Sequence, residues 1–254
     1  MTLKESISAA ASWLAESALT PLSIAEQLAL DEALLDEAES GRLAAPVVRT
    51  WQADRPAVVV GSSSRLEEEV DREACQRLGV AVLRRPSGGA TVLLGPGCIM
   101  WAVITPHPEV PPIDAIHTAM LAPLASALTA AAGRTILREG TSDLAVQLTD
   151  GTRKVSGNAL RIRRRAVLYH GTLLDDFPLD LVGQLLRHPP REPGYRQQRR
   201  HTDFLANLGL GRQAIDDAVR TAFGAEHAAP SWPREQVHSL VATRYGQASW
   251  TERL

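Results

Sequence analysis

The sequence predicts an α+β fold in which a mixed, largely antiparallel β-sheet is flanked by helices. Short β-rich runs recur without the regular strand-helix alternation of a parallel sheet. Two of these runs, Leu144–Leu148 and Lys154–Ile162, are joined through Asp150-Gly151, a dipeptide suited to a tight hairpin turn. Helical periodicity is confined to a few segments before, between and after the strands.

In chain order, residues 5–17 and 23–39 have the spacing of amphipathic helices. The second opens on Ser23 as N-cap with Glu26 three residues later, a capping box, and Gly41 follows its end. Strands are predicted at Val47–Trp51 and Ala57–Val60, a charged helix at Leu66–Leu78, and a strand at Val80–Leu83 that runs into Arg84-Arg85-Pro86-Ser87-Gly88-Gly89. Val92–Leu94 and Ile99–Ile104 read as a strand pair around Gly95-Pro96-Gly97, and an alanine-rich helix spans Asp114 to Ala131. After the Asp150-Gly151 hairpin, Arg163–Arg165 turns the chain into a strand over Ala166–Leu174. The run from His188 to Gly194 holds three prolines and cannot continue a helix; with Arg196, Arg199 and Arg200 it reads as a mobile, basic connection. Helices at 212–223 and 234–245 close the chain.

With 254 residues and 44% apolar content, the chain can bury one large core, with at most a small appendage. A net charge of −2 gives no whole-chain attraction to nucleic acid or an anionic membrane, so neither is expected as a partner. The two cysteines, Cys75 and Cys98, lack CxxC spacing, which argues against a disulfide scaffold or a structural zinc site and fits a reducing compartment. Lys4, Glu5 and Glu16 interrupt the first twenty residues, which therefore lack the apolar run of a signal peptide or membrane span; the expected location is the cytoplasm.

Lys154 is the strongest single candidate for chemistry. It lies in Arg153-Lys154-Val155-Ser156-Gly157-Asn158-Ala159, where a nearby glycine lets backbone approach a ligand and an ammonium can set a point charge on a carboxylate or phosphate. Ser87-Gly88-Gly89 offers backbone N–H groups with little side-chain obstruction, suited to a phosphate or an acyl carbonyl. Asp143 reads as a turn residue or N–H acceptor, and His170, on an apolar strand, as a hydrogen-bonded core histidine. Arg161, Arg163, Arg164 and Arg165 put four arginines within five residues, either a solvated turn or a patch that steers an acidic partner.

Over roughly residues 20 to 208, these segments resemble, in order, the lipoate-protein ligase A branch of the biotin/lipoate ligase and octanoyltransferase superfamily. The likeness rests on Leu28–Leu35, Trp51, Val58-Val59-Val60-Gly61, the Arg-Arg-x-Ser-Gly-Gly loop, Thr141-Ser142-Asp143-Leu144, Lys-Val-Ser-Gly and His170-Gly171-Thr172-Leu173-Leu174. Tyr245 to Trp250 is similar to the family's closing Tyr-to-Trp segment.

The resemblance implies a catalytic domain like those of class II aminoacyl-tRNA and biotinyl protein ligases over residues 21–208, preceded by a helical extension (1–20) and followed by a short helical appendage (209–254). It implies ATP-dependent activation of lipoate or octanoate to acyl-AMP, then transfer to a lysine of an acceptor such as a dehydrogenase-complex lipoyl domain or the glycine cleavage H protein. Lys154 would be catalytic. Arg85, Ser87, Gly88, Gly89, Ala90, Thr91, Val92, Leu93 and His170 would join it in binding ATP or the acyl-adenylate, Mg²⁺ would accompany ATP with Asp143 as its ligand, and no tightly bound prosthetic group is expected. Arg161, Arg163, Arg164 and Arg165 would dock the acceptor.

The chain also departs from the family pattern. Leu94-Gly95 stands where ligases commonly have His-Asp, Ser142 replaces an asparagine, and Gly95-Pro96-Gly97 is similar to an octanoyltransferase branch. Two other functions therefore stay open: a cysteine-dependent octanoyltransferase drawing on acyl carrier protein, or a catalytically impaired acyl or nucleotide binder. A thiol beside Lys154 would mark the transferase, and Cys98, after Gly-Pro-Gly, is the cysteine to examine.

Overall fold

A computed structural model describes residues 11–16, 19, 21–109, 111–190, 192–229 and 231–254, together with Leu3 and Ile7. The described strands are β1 (Ser12–Leu14), β2 (Val47–Gln52), β3 (Ala57–Val60), β4 (Ala81–Arg84), β5 (Val92–Leu94), β6 (Cys98–Pro106), β7 (Ile136–Glu139), β8 (Asp143–Leu148), β9 (Gly151–Ile162), β10 (Ala166–Leu174) and β11 (His227–Ala228). Eight form one sheet in the order β11-β1-β2-β6-β10-β9-β8-β7, antiparallel from β2 to β7 and parallel where β1 joins β2 and β11. The other three form a small sheet, β4-β3-β5, in which β3 runs parallel to β4 and antiparallel to β5. The α+β class expected from the sequence is the class found.

Strand alternation sends side chains to both faces of the large sheet, and both faces are covered. Val48, Trp101, Val103, Val167 and Tyr169 pack under the long helices α2 (Ile113–Ala132) and α3 (Arg212–Phe223), where Phe223 stacks on Trp101 with ring centroids 5.6 Å apart. Helix α2 is long and apolar enough to cross a membrane, but its Ile116, Met120, Leu124 and Leu128 are spent on the sheet. On the opposite face Val47, Trp51, Met100, Ile104 and Leu168 meet α1 (Ile24–Ser40) and the small sheet. The space between the two sheets on this face is where a ligand can enter.

Helix α1 starts as its sequence dictates. The Glu26 amide donates to Ser23 Oγ at 3.3 Å, the Ser23 amide donates back to the Glu26 carboxylate at 2.7 Å, and Gly41 ends the helix at φ 80°. Three expectations change. Ser12–Leu14, the end of the helix expected at 5–17, is a strand on the β2 edge; the expected helix otherwise falls largely outside the described residues. The charged helix breaks into Leu66–Glu69 and Arg72–Arg77, because Asp71 caps a new start by accepting from the Ala74 amide at 2.8 Å. Finally, Val92–Leu94 and Cys98–Pro106 do not pair: Gly95-Pro96-Gly97 carries the chain from the small sheet to the large one. Gly97 sits at φ 84°, where a Cβ would overlap the Asp176 carbonyl.

The expected C-terminal appendage is built into the core. Ile215, Val219 and Phe223 complete one face, while α4 (Arg234–Leu240) and the π-turn Val241–Tyr245 lie against α1. Buried Glu32 on α1 accepts from Tyr245 Oη at 2.7 Å and from Arg244. Trp250 Nε1 donates to the Arg84 carbonyl at 2.9 Å, tying the closing segment to the back of the glycine loop.

Candidate functional site

Between the sheets lies a cavity of about 370 Å³ whose wall combines apolar side chains (Leu28, Trp51, Val59, Leu94, Met100) with Asp31, Arg85, Asp143, Lys154 and His170. A smaller cavity of about 140 Å³ adjoins it, and Ala90, Thr91, Val92, Lys154, Gly157, Thr172 and Pro193 border both. Lys154 thus stands on the shared wall, where an apolar chain in the larger cavity can bring a polar head to an ammonium.

Local backbone geometry aims that ammonium. In the β8–β9 ladder Leu144 faces Ser156 but Ala145 faces Lys154, so Val155 is an extra residue, a β-bulge that redirects the side chains around it. Lys154 Nζ reaches Asp143 Oδ1 at 2.8 Å, and the missing Cβ of Gly157 leaves it room: an added one would sit 2.9 Å from Nζ. Asn158 anchors the bulge. Its Oδ1 accepts from Trp101 Nε1 and Ser156 Oγ, both at 3.1 Å, and its Nδ2 donates to the Ser142 carbonyl at 2.7 Å. A Cβ at Gly171 would collide with that amide, so Lys-Val-Ser-Gly-Asn and His-Gly-Thr are two halves of one packing arrangement.

The second oxygen of Asp143 is also engaged: Tyr195 Oη donates to Oδ2 at 2.9 Å, and burial with the adjacent carboxylate drives the Tyr195 phenol far above its ordinary value. The proline-rich connection therefore folds back over the cavity, with Glu192 and Pro193 in its wall. Asp143 serves as counter-ion to Lys154 rather than as an open metal ligand, and no group of three His, Cys, Asp or Glu suited to a metal occurs among the described residues. The described residues thus form no all-protein cage for Mg²⁺, an ion usually held by one or two carboxylates together with substrate phosphates.

Arg85 is buried, and burial lowers its guanidinium to about 10, still charged at neutral pH. It donates to Val59 O (3.1 Å), Ser87 Oγ (3.1 Å), Gly88 O (2.6 Å) and Ala90 O (2.9 Å). Ser87 O accepts from the Ser62 amide at 2.8 Å and Gly89 O from Ser64 Oγ at 3.2 Å, so four consecutive loop carbonyls are tied down. The amides of Gly88, Gly89 and Ala90 have no acceptor among the described residues, and Gly89 and Ala90 line the cavity. Arg85 thus shapes the loop, and it also lines the cavity.

Behind the loop runs a buried polar chain that the motifs only half revealed. Ser87 Oγ accepts from Arg85 Nε and is hydrogen-bonded to His170 Nε2 at 2.6 Å, while His170 Nδ1 faces the Asp31 carboxylate, with Oδ2 at 2.9 Å. Asp31 Oδ1 in turn takes Arg49 Nη1 at 2.7 Å, and Arg49 reaches Gln27 on α1. The core-histidine reading of His170 holds, and its ring also lines the cavity. Asp31 and Tyr195 were missed because nothing local marks them: one sits in a helical run, the other in a connection.

Of the remaining candidates, Ala90, Thr91 and Val92 line the cavities and Leu93 borders only the smaller one. The arginine patch is smaller than expected. Arg161 donates to the Pro86 carbonyl at 2.6 Å and Arg163 pairs with Asp36 at 3.1 Å, so the acidic face of α1 neutralises them; Arg164 and Arg165 are exposed. Neither thiol lines either cavity. Cys98 is fully buried, with its pKa pushed up to about 12 by burial, and Cys75 lies on the buried side of the Arg72–Arg77 helix with its pKa raised by the same cause.

Comparison with known proteins agrees with this geometry. The family model described as the lipoyl protein ligase A/B catalytic domain matches residues 23–220. The octanoyltransferase LipM of Symbiobacterium thermophilum is 28% identical over 258 residues, covering 90% of this chain and 94% of that protein. The fold is shared with the bi-partite lipoate protein ligase of Thermoplasma acidophilum (TM-score 0.77, 21% identity, 96% of this chain and 95% of that one). It is shared as well with a lipoate-protein ligase A solved with ATP bound (TM-score 0.78, 20% identity, 96% and 98%). With the family model spanning most of its length and the lysine bulge and glycine loop meeting at one cavity, the chain belongs to the lipoyl protein ligase A/B catalytic domain family.

Proposed function

We propose that the chain is an ATP-dependent ligase that activates lipoate or octanoate as acyl-AMP and transfers the acyl group to a lysine of a lipoyl-acceptor domain. The observation that carries this reading is the Lys154 ammonium on the wall shared by two cavities, which Gly89 and Ala90 of the glycine loop also line, with no thiol in either wall among the described residues. Two anions meet in the first step. A carboxylate oxygen attacks the α-phosphorus, the bond from phosphorus to the pyrophosphate oxygen breaks, and the electron pair leaves with pyrophosphate. Fixed positive charge lowers the Coulomb cost of that encounter, about 4 kcal/mol at 4 Å for a pair of unit charges at an effective dielectric of 20. In the second step the acceptor amine attacks the acyl carbonyl, AMP leaves, and the amine gives up its proton; Lys154 stabilises charge on the carbonyl oxygen. Mg²⁺ arrives with ATP as part of the substrate, held by phosphate oxygens.

Support for a lipoyl domain as acceptor comes from the Thermoplasma relative, which was described together with its E2 lipoyl domain. The LipM relative favours a second reading, octanoyl transfer from acyl carrier protein without ATP. That chemistry needs a reactive thiolate, and burial works against one at Cys98 and Cys75. The test is to offer a lipoyl domain either ATP with lipoate or octanoate, or octanoyl-acyl carrier protein without ATP, and to weigh the product. The ligase reading expects acylation in the first mixture, unchanged in Cys98→Ser and Cys75→Ser. Acylation confined to the second mixture, with an octanoyl adduct on Cys98 that the serine variant loses, supports the transferase instead.

A further inference from the structure

Helix α1 neutralises part of the arginine run at 161–165, yet the fold gathers arginines from that run and from the closing segment onto one surface. Arg253 lies over the Trp250 ring, its guanidinium carbon 3.9 Å from the centroid, and Arg244 lies over the same ring at 4.7 Å. Burial first, then the charges of Arg244 and Arg161, lower the Arg253 guanidinium from its ordinary value, while Glu32 and Tyr245 pull it the other way. These five groups are therefore close neighbours. Arg163 also approaches Glu32, at 3.9 Å, and pairs with Asp36. Four guanidiniums thus meet two carboxylates, of which Glu32 is buried, and Glu252 beside Arg253 is turned to Arg72 at 2.9 Å. A positive excess is left at the surface.

This surface adjoins the glycine loop. Arg161 Nη1 donates to the Pro86 carbonyl at 2.6 Å, and Arg253 Nη2 donates to the carbonyl of Ser62, a residue whose amide donates to Ser87 O. Along β9, Gly157 and Ala159 line the larger cavity, and strand alternation puts Arg161 next on that face. Arg161, Arg244 and Arg253 line neither cavity and are partly or fully exposed, so a small anion has no enclosed seat among them. A broad acidic surface is the ligand whose shape and sign fit.

We propose that Arg161, Arg244 and Arg253, braced by Trp250, form the surface on which an acidic acceptor domain docks, with its lysine presented across the glycine loop to the acyl group. The inference rests on the reading of the chain as an enzyme that acylates a lipoyl-acceptor domain, and it gives the closing segment a part in recognition. Docking charge of this kind acts on encounter and salt dependence and leaves the activation chemistry alone.

The test compares wild type, Arg253→Glu and Arg253→Lys, each checked by thermal melting, with ATP and lipoate fixed and an acidic lipoyl domain varied. Hydroxylamine serves as an acceptor that needs no docking: its nitrogen attacks the acyl carbonyl of acyl-AMP, AMP leaves with the bonding pair, and the nitrogen gives up a proton. Reversing the Arg253 charge should raise the KM for the lipoyl domain roughly tenfold at low salt, with hydroxamate formation within about twofold of wild type and Arg253→Lys near wild type throughout. The wild-type KM should itself rise with salt. A lipoyl-domain KM within about twofold of wild type in folded Arg253→Glu overturns the proposal, as does an equal fall in hydroxamate and in domain acylation. If that variant does not fold, a wild-type KM indifferent to salt overturns it. A wild type that forms neither hydroxamate nor acylated domain from ATP and lipoate defeats the ligase reading by itself. Calorimetric titration of the lipoyl domain into wild type and Arg253→Glu then decides the docking surface: weaker binding to the variant supports it and equal binding overturns it.

Discussion

Replacing Lys154 by alanine should cost far more in catalysis than in stability. Nζ is 2.8 Å from Asp143 Oδ1, with the two side chains 25% and 12% exposed, and Asp143 keeps its bond from Tyr195 when the ammonium is gone. A partly solvated pair of this kind is worth about 1 kcal/mol or less, which for a chain of this length lowers Tm by about 2–4 °C. The same ammonium, aimed where charge develops in adenylation, should be worth about 3–4 kcal/mol, a loss on the order of 10² or more in rate. Single-turnover formation of acyl-AMP, read beside a melting curve, separates the two effects. Lys154→Arg should also be poor, because the slot beside Gly157 is shaped for an ammonium and a planar guanidinium is wider. A folded Lys154→Ala protein that makes acyl-AMP within about threefold of the wild-type rate would refute the assignment.

Three further outcomes follow from the geometry. Arg85→Met releases the carbonyls of Val59, Gly88 and Ala90 together, so both Tm and acyl-AMP formation should fall; a variant with normal Tm and normal rate contradicts the stapled loop. His201 has a folded pKa of about 4 against an ordinary 6.5, so the unfolded chain binds the extra proton between these values. Stability therefore falls as pH drops from 6.5 toward 4, and His201→Gln should flatten that part of a Tm-versus-pH curve; an identical curve speaks against the half-buried neutral imidazole. Arg164→Ser with Arg165→Ser should raise the KM for an acidic lipoyl domain at low salt and leave acyl-AMP formation normal, whereas Arg163→Ser should act mainly on stability through Asp36. Acceptor kinetics that ignore the double change make these two arginines ordinary surface charge.

The fold class, the α1 capping box and the β8–β9 hairpin were legible because each is set by local chemistry: periodicity, a Ser-x-x-Glu start and a turn signal at Asp150-Gly151, although the turn is centred one residue earlier, on Thr149-Asp150, with Gly151 already paired to Leu148 in β9. Lys154 and the glycine loop were legible as motifs, but why their glycines matter was not, since Gly157 answers to the Lys154 ammonium and Gly171 to Asn158, contacts made across turns and between strands. Partners distant in sequence escaped altogether. Asp31 meets His170 139 residues away, and Tyr195 meets Asp143 52 residues away. The arginine patch misled for the same reason, because the carboxylates that neutralise Arg161 and Arg163 lie on α1. Pairing of Val92–Leu94 with Ile99–Ile104 failed because a three-residue Gly-Pro-Gly link fits a hairpin locally, while packing of Gly97 on Asp176 sends the strands to different sheets.

The central claim, that this site activates a free carboxylic acid with ATP, is tested most directly by exchange of labelled pyrophosphate into ATP with lipoate, octanoate or no acid present. The account predicts exchange that requires lipoate or octanoate, persists in the Cys75→Ser, Cys98→Ser double variant and is lost in Lys154→Ala. Absence of acid-dependent exchange from a folded wild-type protein that still acylates a lipoyl domain from octanoyl-acyl carrier protein would contradict it.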